Sequence, residues 1–488
     1  MPGINYDEKV PNNVSLSTDK GLQRAVEGWL GPYGDWWEHW GPVMDGVKGL
    51  RGAIDKVYLR TAVSADRAGW AEFGYVKPKD YRWGIFLKDP VPDRKIGFGD
   101  HMGQPVWQEV PGEFRNMLRR IITTQGDTEP GSVEQQRDLT KTAPSLHDLR
   151  SLLQVNAEEG RHLWAMVYLL HAHFQKDGRE EAVGLLERHS GDPDKPRTLG
   201  AFNIPIKNWV DFFMFTMFTD RDGKYQLASL AESGFDPLSR TCRFMLEEEA
   251  HHLLVGHMGI TRMIERTCEL MEKAPDGDVT KVGGIPLSMI QKFINKWVSC
   301  SEDLFGSEIS SNAADFFSAG VKGRYKEGEL NEHKALGQTH PIDQVVDGVI
   351  QTQRVDLRNA MNAVLLDAYV RDCQKAVNQW NKIICREGSR SKETGFTLRL
   401  PHPRFNRYQG IYRGHKFDID GNPMESHEWE RRQGEWLPTA ADDAYVNSLM
   451  VPEFEPGKFA GWIAPPSKGV NGKPVDHPYV LFEEREAA

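Results

Sequence analysis

Cysteine is scarce in this chain of 488 residues: five in all, Cys242, Cys268, Cys300, Cys373 and Cys385, with no Cys-x-x-Cys spacing. That excludes a disulfide framework, a thiolate metal site and a cysteine-held iron–sulfur cluster, and it predicts a protein of the reducing cytoplasm. Long apolar runs are missing too. No window approaches the roughly 20 residues a membrane span requires, and the richest, Trp209–Phe218, contains Asp211. Residues 1–15 show no basic stretch followed by an apolar one, so no secretory signal is expected. Basic runs are absent, the net charge is −10 and the pI is about 5.9, which argues against nucleic acid or an anionic membrane as a partner. No nucleotide fingerprint occurs either. Gly97-Phe98-Gly99-Asp100-His101-Met102-Gly103 misses the G-x-G-x-x-G spacing, and there is no His-Glu-x-x-His zinc motif.

What is present reads as an ordinary globular chain, 39% hydrophobic and 27% charged, too long for one small domain. Residues 1–105, with Trp29, Trp36, Trp37 and Trp40 and the short extended stretches Val57–Val63 and Trp83–Leu87, read as an irregular N-terminal cap. Residues 106–387 read as a helical core. Phe114, Leu118, Ile121 and Ile122 recur at helical steps, as do Leu149, Leu152 and Leu153, then Leu163, Met166, Val167 and Leu170. Trp209–Phe218 and Phe244–Met263 supply two more long apolar segments. Further helix is expected at Leu287–Val298, Asn312–Phe317 and Val345–Ile384, and residues 388–488 as a wrapping extension of loops and short strands. The expected fold is mainly α: a ferritin-like four-helix bundle with extra helices and irregular terminal extensions.

Two of the long segments share a pattern: Glu158-Glu159-Gly160-Arg161-His162 and Glu248-Glu249-Ala250-His251-His252, both Glu-Glu-x-x-His. A Glu and a His three residues apart lie on adjoining turns of one helix face, so a carboxylate oxygen and an imidazole nitrogen can converge on one metal ion. Two such helices, plus one carboxylate from each of two others, form the six-ligand carboxylate-bridged di-iron site. Carboxylates favour the ferric state, and the imidazoles complete each shell while leaving positions for dioxygen. One Glu-x-x-His is common by chance; two copies inside apolar helices need a partner for their buried charge.

The phase of the second copy is ambiguous, since Glu248 and His251 also satisfy the three-residue step. Alignment with the first copy selects Glu249 and His252, leaving Glu248 and His251 as flanking residues. On the first helix Glu129, which stands 30 residues before Glu159 and directly before Pro130, competes with Glu113 and Glu134. On the third, Asp211, Asp220 and Asp222 are equal candidates by periodicity. His171, His173 and His257 read as structural histidines.

With these residues in hand, the sequence resembles the oxygenase component of benzoyl-CoA 2,3-epoxidase over nearly its whole length. The resemblance is carried by Gln125-Gly126-Asp127-Thr128-Glu129-Pro130, by Glu158-Glu159-Gly160-Arg161-His162-Leu163-Trp164-Ala165-Met166 and by Phe218-Thr219-Asp220-Arg221-Asp222-Gly223-Lys224. Glu248-Glu249-Ala250-His251-His252 and Glu455-Pro456-Gly457-Lys458-Phe459 add to it, and the phenylacetyl-CoA epoxidase catalytic subunit is a more distant relative. The resemblance implies Glu129, Glu159, His162, Asp220, Glu249 and His252 as ligands of two iron ions. It further implies benzoyl-CoA and dioxygen as substrates, 2,3-epoxy-2,3-dihydrobenzoyl-CoA as product, and NADPH electrons from a separate flavin and iron–sulfur reductase. Assembly state is left open, with a monomer as the working expectation.

Phe213, Phe215, Met245 and Leu246 are candidates for a dry pocket around the ligands, with plain core packing an equally good reading. Arg390, Lys392, Arg399, Arg404 and Arg407 are candidates for meeting the coenzyme A phosphates, with a solvated surface as the plainer reading. Two rivals stand beside the oxygenase: a ferroxidase or radical-generating subunit, and a non-catalytic helical interaction protein. The radical subunit carries a tyrosine one turn after the first motif's His, where this chain has Met166, although Tyr168 lies close by.

Overall fold

The computed structural model describes residues 4–9, 19–40, 56–58, 70–72, 86–88, 90–330, 338–346, 349–455 and 457–467. Helices dominate: α1 (Lys20–Trp40), α2 (Arg115–Gly126), α3 (Glu129–Gln136), α4 (Leu146–His173), α5 (Gln175–Glu187), α6 (Trp209–Met214) and α7 (Asp220–Leu230). They continue as α8 (Asp236–Lys273), α9 (Leu287–Glu302), α10 (Ser311–Ser318), α11 (Met361–Ile384), α12 (Arg390–Glu393), α13 (Ser426–Trp436) and α14 (Ala440–Leu449). Strands among the described residues form four antiparallel pairs, the longest joining Thr339–Val346 to Val349–Asp356. No helix among the described residues is long and apolar enough to cross a membrane.

The helix α4 starts where Ser145 caps it, its hydroxyl accepting from the Asp148 N–H at 3.1 Å. Every residue from Asp148 to Val167 is buried, so α4 is enclosed on all sides, by α2, α3, α5 and α8. Such a helix can keep charged groups only if each is paired. Asp148 shows how: both its oxygens accept from Arg262 of α8, at 2.7 and 3.1 Å, tying the two motif-bearing helices together.

The third segment is not one continuous helix. Asn208 caps α6 by accepting from the Asp211 N–H, and a five-residue π turn, Phe215–Thr219, then separates α6 from α7. Helix α8 packs against all three pieces. It can do so because α8 carries glycines there: a Cβ on Gly256 would sit 2.3 Å from Met217 N, and one on Gly259 2.1 Å from the Phe213 ring. Likewise α2 ends at Gly126 and α3 restarts at Glu129, so Pro130 falls in a first turn, where no N–H donor is needed. Between them the buried Asp127 gathers Arg188, Arg197 and the Thr198 N–H at 2.8, 3.1 and 2.6 Å.

Three expectations about elements change. The helix expected from Val345 starts at Met361, because Thr339–Val346 and Val349–Asp356 pair as antiparallel strands. Val345, Val346, Val349 and Ile350 are β-branched and cross-paired, a strand preference that the apolar count misread as helical. The N-terminal region carries the 21-residue α1, which buries Trp29, Tyr33 and Trp36 and packs against α5. The tail contains α12, α13 and α14 besides loops, and it runs back over the core: Ala460 N–H donates to Pro144 and Ala464 accepts from Arg262. Of the short stretches named from the sequence, residues 59–63 and 83–85 lie outside the described residues, as do residues 1–3 and 10–15 of the stretch read for a signal.

Candidate metal centre

The two Glu-Glu-x-x-His motifs face each other across the contact of α4 with α8. Glu129, Glu159, His162 and Glu249 each offer a ligand atom within 4.8 Å of the others; Glu159, Asp220 and His252 form a second such group, and all are buried. The Nδ1 atom of His162 lies 3.4, 3.7 and 3.7 Å from Glu129, Glu159 and Glu249. That of His252 lies 3.5, 3.6 and 4.0 Å from Glu159, Glu249 and Asp220. Glu159 and Glu249 thus stand between the two imidazoles, whose ring centres are 5.9 Å apart.

Each imidazole is held from behind by the opposite helix. His162 Nε2 lies 3.1 Å from Glu248 Oε2, and His252 Nε2 lies 3.1 Å from Glu158 Oε2. The leading Glu of each motif therefore serves the other motif's His. With Nε2–H donated to a carboxylate, Nδ1 is the nitrogen left to exchange its proton for a cation in the shared space. Glu248 also meets Arg161 at 3.1 Å, and Glu158 accepts from Gln154 at 3.0 Å. Burial pushes the Glu158 carboxyl up, but His251 and His252 outweigh it and leave it at about 2, so the clamp stays ionised.

The inner atoms lack what the outer ones have. His162 Nδ1, His252 Nδ1, Asp220 Oδ2 and Glu249 Oε2 are buried without a hydrogen-bond partner, although they face one another. Burial and mutual repulsion push Glu159 and Asp220 well above the carboxylate range. Burial works against the imidazolium forms, yet the facing carboxylates draw His162 and His252 well above the imidazole range. Four carboxylates and two imidazoles in a dry interior call for cations. Two divalent ions would neutralise the four acids, and oxygen with imidazole donors is a set that suits iron.

The competing acids have other work. Glu134 accepts from Trp29 and Arg197, and Glu113 is exposed. Asp211 accepts from Lys296 and Trp297, both at 2.7 Å. Asp222 accepts from Gln226 at 2.9 Å. The histidines His173 and His257 pack edge-on against Phe235 and face-on against Trp380. The sequence predicts Glu248 as a flanking residue, supporting the ligands or facing solvent, and it does support His162; the matching clamp by Glu158 goes unpredicted, and the doubled Glu in both motifs is the signal for it.

A cavity of about 250 Å³ opens on the carboxylate side of the cluster and reaches Glu129, Glu159, Asp220 and Glu249. Its other walls include Leu199, Phe202, Phe305, Phe316, Met361 and Leu365. Phe213, Phe215 and Met245 are fully packed core and do not line it, which corrects the expected dry pocket. The basic cluster of the tail is also committed elsewhere. Arg390 donates to the end of α8 at Ala274, Lys392 pairs with Glu387, Arg399 with Asp420, Arg404 with Asp343 and Arg407 with Asp303.

A buried acid–imidazole cluster that could hold metal, set on packed helices and open to a cavity, marks a mainly helical protein with a candidate metal centre. No family model matches the chain. It is 53% identical over 483 residues to "Benzoyl-CoA oxygenase component B" of Aromatoleum evansii, covering 98% of this chain and 100% of that protein. The chain belongs to this family of oxygenase components.

Proposed function

We propose that the chain is the terminal oxygenase of a multi-component system that epoxidises benzoyl-CoA at a carboxylate-bridged di-iron centre. Its ligands are Glu129, Glu159, His162, Asp220, Glu249 and His252. Benzoyl-CoA, dioxygen, NADPH and a proton give 2,3-epoxy-2,3-dihydrobenzoyl-CoA, water and NADP⁺, one oxygen atom entering each oxygenated product. The chain has no nicotinamide, flavin or iron–sulfur fingerprint, so electrons come from a separate flavin and iron–sulfur reductase. The "component B" in the relative's name supports that division of labour. In this reading the four motif segments form a ferritin-like bundle within a core of residues 106–387, between a cap (1–105) and a C-terminal extension (388–488), in the cytoplasm.

The observation that carries the reading is the inward-facing set of unpartnered donor atoms, of which Asp220 and Glu249 reach the cavity. Two irons bound there would supply dioxygen binding and the electrons that cleave its O–O bond. The residues do the rest. Glu159 and Glu249, each in reach of both imidazoles, would be the acids placed to hold both ions. Glu158 and Glu248 fix the imidazole orientation. The apolar walls keep water from a reaction that needs a strong oxidant, because the thioester withdraws electron density from the ring. The cavity volume suits an aryl group and leaves the nucleotide end of coenzyme A outside, on the side of the exposed Arg120.

Metal analysis is expected to give two irons per chain, lost in Glu159→Ala and His252→Ala. A single turnover of the reduced protein with benzoyl-CoA under ¹⁸O₂ is expected to add one labelled oxygen atom to the acyl group. A product without label sinks the proposal.

A further inference from the structure

Two cations line the cavity, the exposed Arg120 and the half-buried Lys322. Lys322 follows α10 and donates from Nζ to Gln226 Oε1 at 2.6 Å. Gln226 in turn donates from Nε2 to Asp222 Oδ1 at 2.9 Å, so α7 fixes the direction of the lysine. An ammonium has three donors, and among the described residues Gln226 is the one acceptor Lys322 engages. Several other polar side chains around the cavity are committed: Gln125 donates to Glu129, Thr128 to the Gln125 carbonyl, and Thr219 is paired with Ser301.

An aryl thioester entering this space brings one strong polar atom near its ring, the carbonyl oxygen. Leaving that oxygen without a donor in a largely apolar enclosure is costly. We propose that Lys322 donates to the thioester carbonyl oxygen and so presents the ring edge to the carboxylate floor. The assignment rests on the aryl-CoA reading above and adds the residue that distinguishes a thioester from other coenzyme A conjugates. Gln226 is its positioning residue: it lines the same cavity and holds one of the ammonium's three donors, leaving the other two for the ligand.

The experiment is isothermal titration of the full-length, iron-loaded chain, without reductant, with benzoyl-CoA and with S-benzyl-CoA, in which a methylene replaces the carbonyl. The wild type is expected to prefer the thioester by roughly tenfold to a hundredfold. Lys322→Met is expected to erase the preference by weakening the thioester alone, and Lys322→Arg, which keeps a donor, to retain it. Equal wild-type affinity for the two ligands overturns the assignment while the aryl-CoA reading stands, and this comparison needs no variant to fold. A Lys322→Met protein that weakens both ligands by one factor also overturns it. A wild type that binds neither ligand overturns the aryl-CoA reading and the assignment together.

Discussion

Glu248 of α8 clamps His162 of α4, Oε2 to Nε2 at 3.1 Å, and Glu158 returns the same contact to His252. The two clamps should behave as a pair. Glu158→Gln and Glu248→Gln each keep an acceptor but lose the charge, and each is expected to weaken metal binding roughly 10- to 100-fold in competition with a chelator. Glu248→Gln should also unfold more easily than Glu158→Gln, by about 1–3 kcal/mol, because it removes the charge that faces the buried Arg161 guanidinium at 3.1 Å. Denaturant titration of the metal-free proteins measures that difference.

The three aspartates of the third segment should separate cleanly. Asp220→Asn is expected to lose iron with little change in unfolding free energy, since Oδ2 has no hydrogen-bond partner to forfeit. Asp211→Asn should keep iron but lose about 1–3 kcal/mol, because Lys296 and Trp297 both point at its Oδ1. Iron retained in Asp220→Asn at the wild-type amount would remove Asp220 from the ligand set.

Gly256→Ala tests the packing that fixes the π turn. Helix propensity alone favours alanine by about 1 kcal/mol. Here the added methyl would meet Met217 N at 2.3 Å, and the expected outcome is a net loss of about 1–3 kcal/mol together with weaker iron binding. Gly31→Ala in α1, where nothing lies within 4 Å of the new Cβ, serves as the control and should be neutral or stabilising.

Glu302 at the end of α9 gives a pH signature. Both its oxygens are buried without a hydrogen-bond partner, and burial pushes its carboxyl up to about 8, with Arg407 pulling the other way. The folded chain therefore keeps a proton that the unfolded chain loses near the ordinary carboxylate value of about 4.3. Stability from this group is whole below that value and is lost as pH rises to about 8. Glu302→Gln is expected to melt a few degrees above wild type at pH 9, with the two curves merging near pH 4. Equal melting temperatures at pH 9 would contradict this account.

Much of the helical layout could be read from periodicity, because α4 and α8 repeat apolar residues at helical steps and bury them. The paired Glu-Glu-x-x-His strings likewise marked Glu159, His162, Glu249 and His252 as residues able to share one helix face. Where the backbone departs from 3.6 residues per turn, the reading failed. The π turn before Asp220 shifts the face on which every later residue falls, so Asp211, Asp220 and Asp222 were indistinguishable by period. The break between Gly126 and Glu129 hid the first-segment acid in the same way.

The order of residues by itself therefore determined that two helices each carry an acid and an imidazole one turn apart. Only tertiary structure decided which helix faces which, that Glu248 reaches His162 and Glu158 reaches His252, and which acids are drawn off into ion pairs with Arg197 or Lys296. The reason is range. Helix pitch relates residues three or four apart, whereas the clamps join residues 86 and 94 positions apart, and the packing of α4 on α8 brings those together.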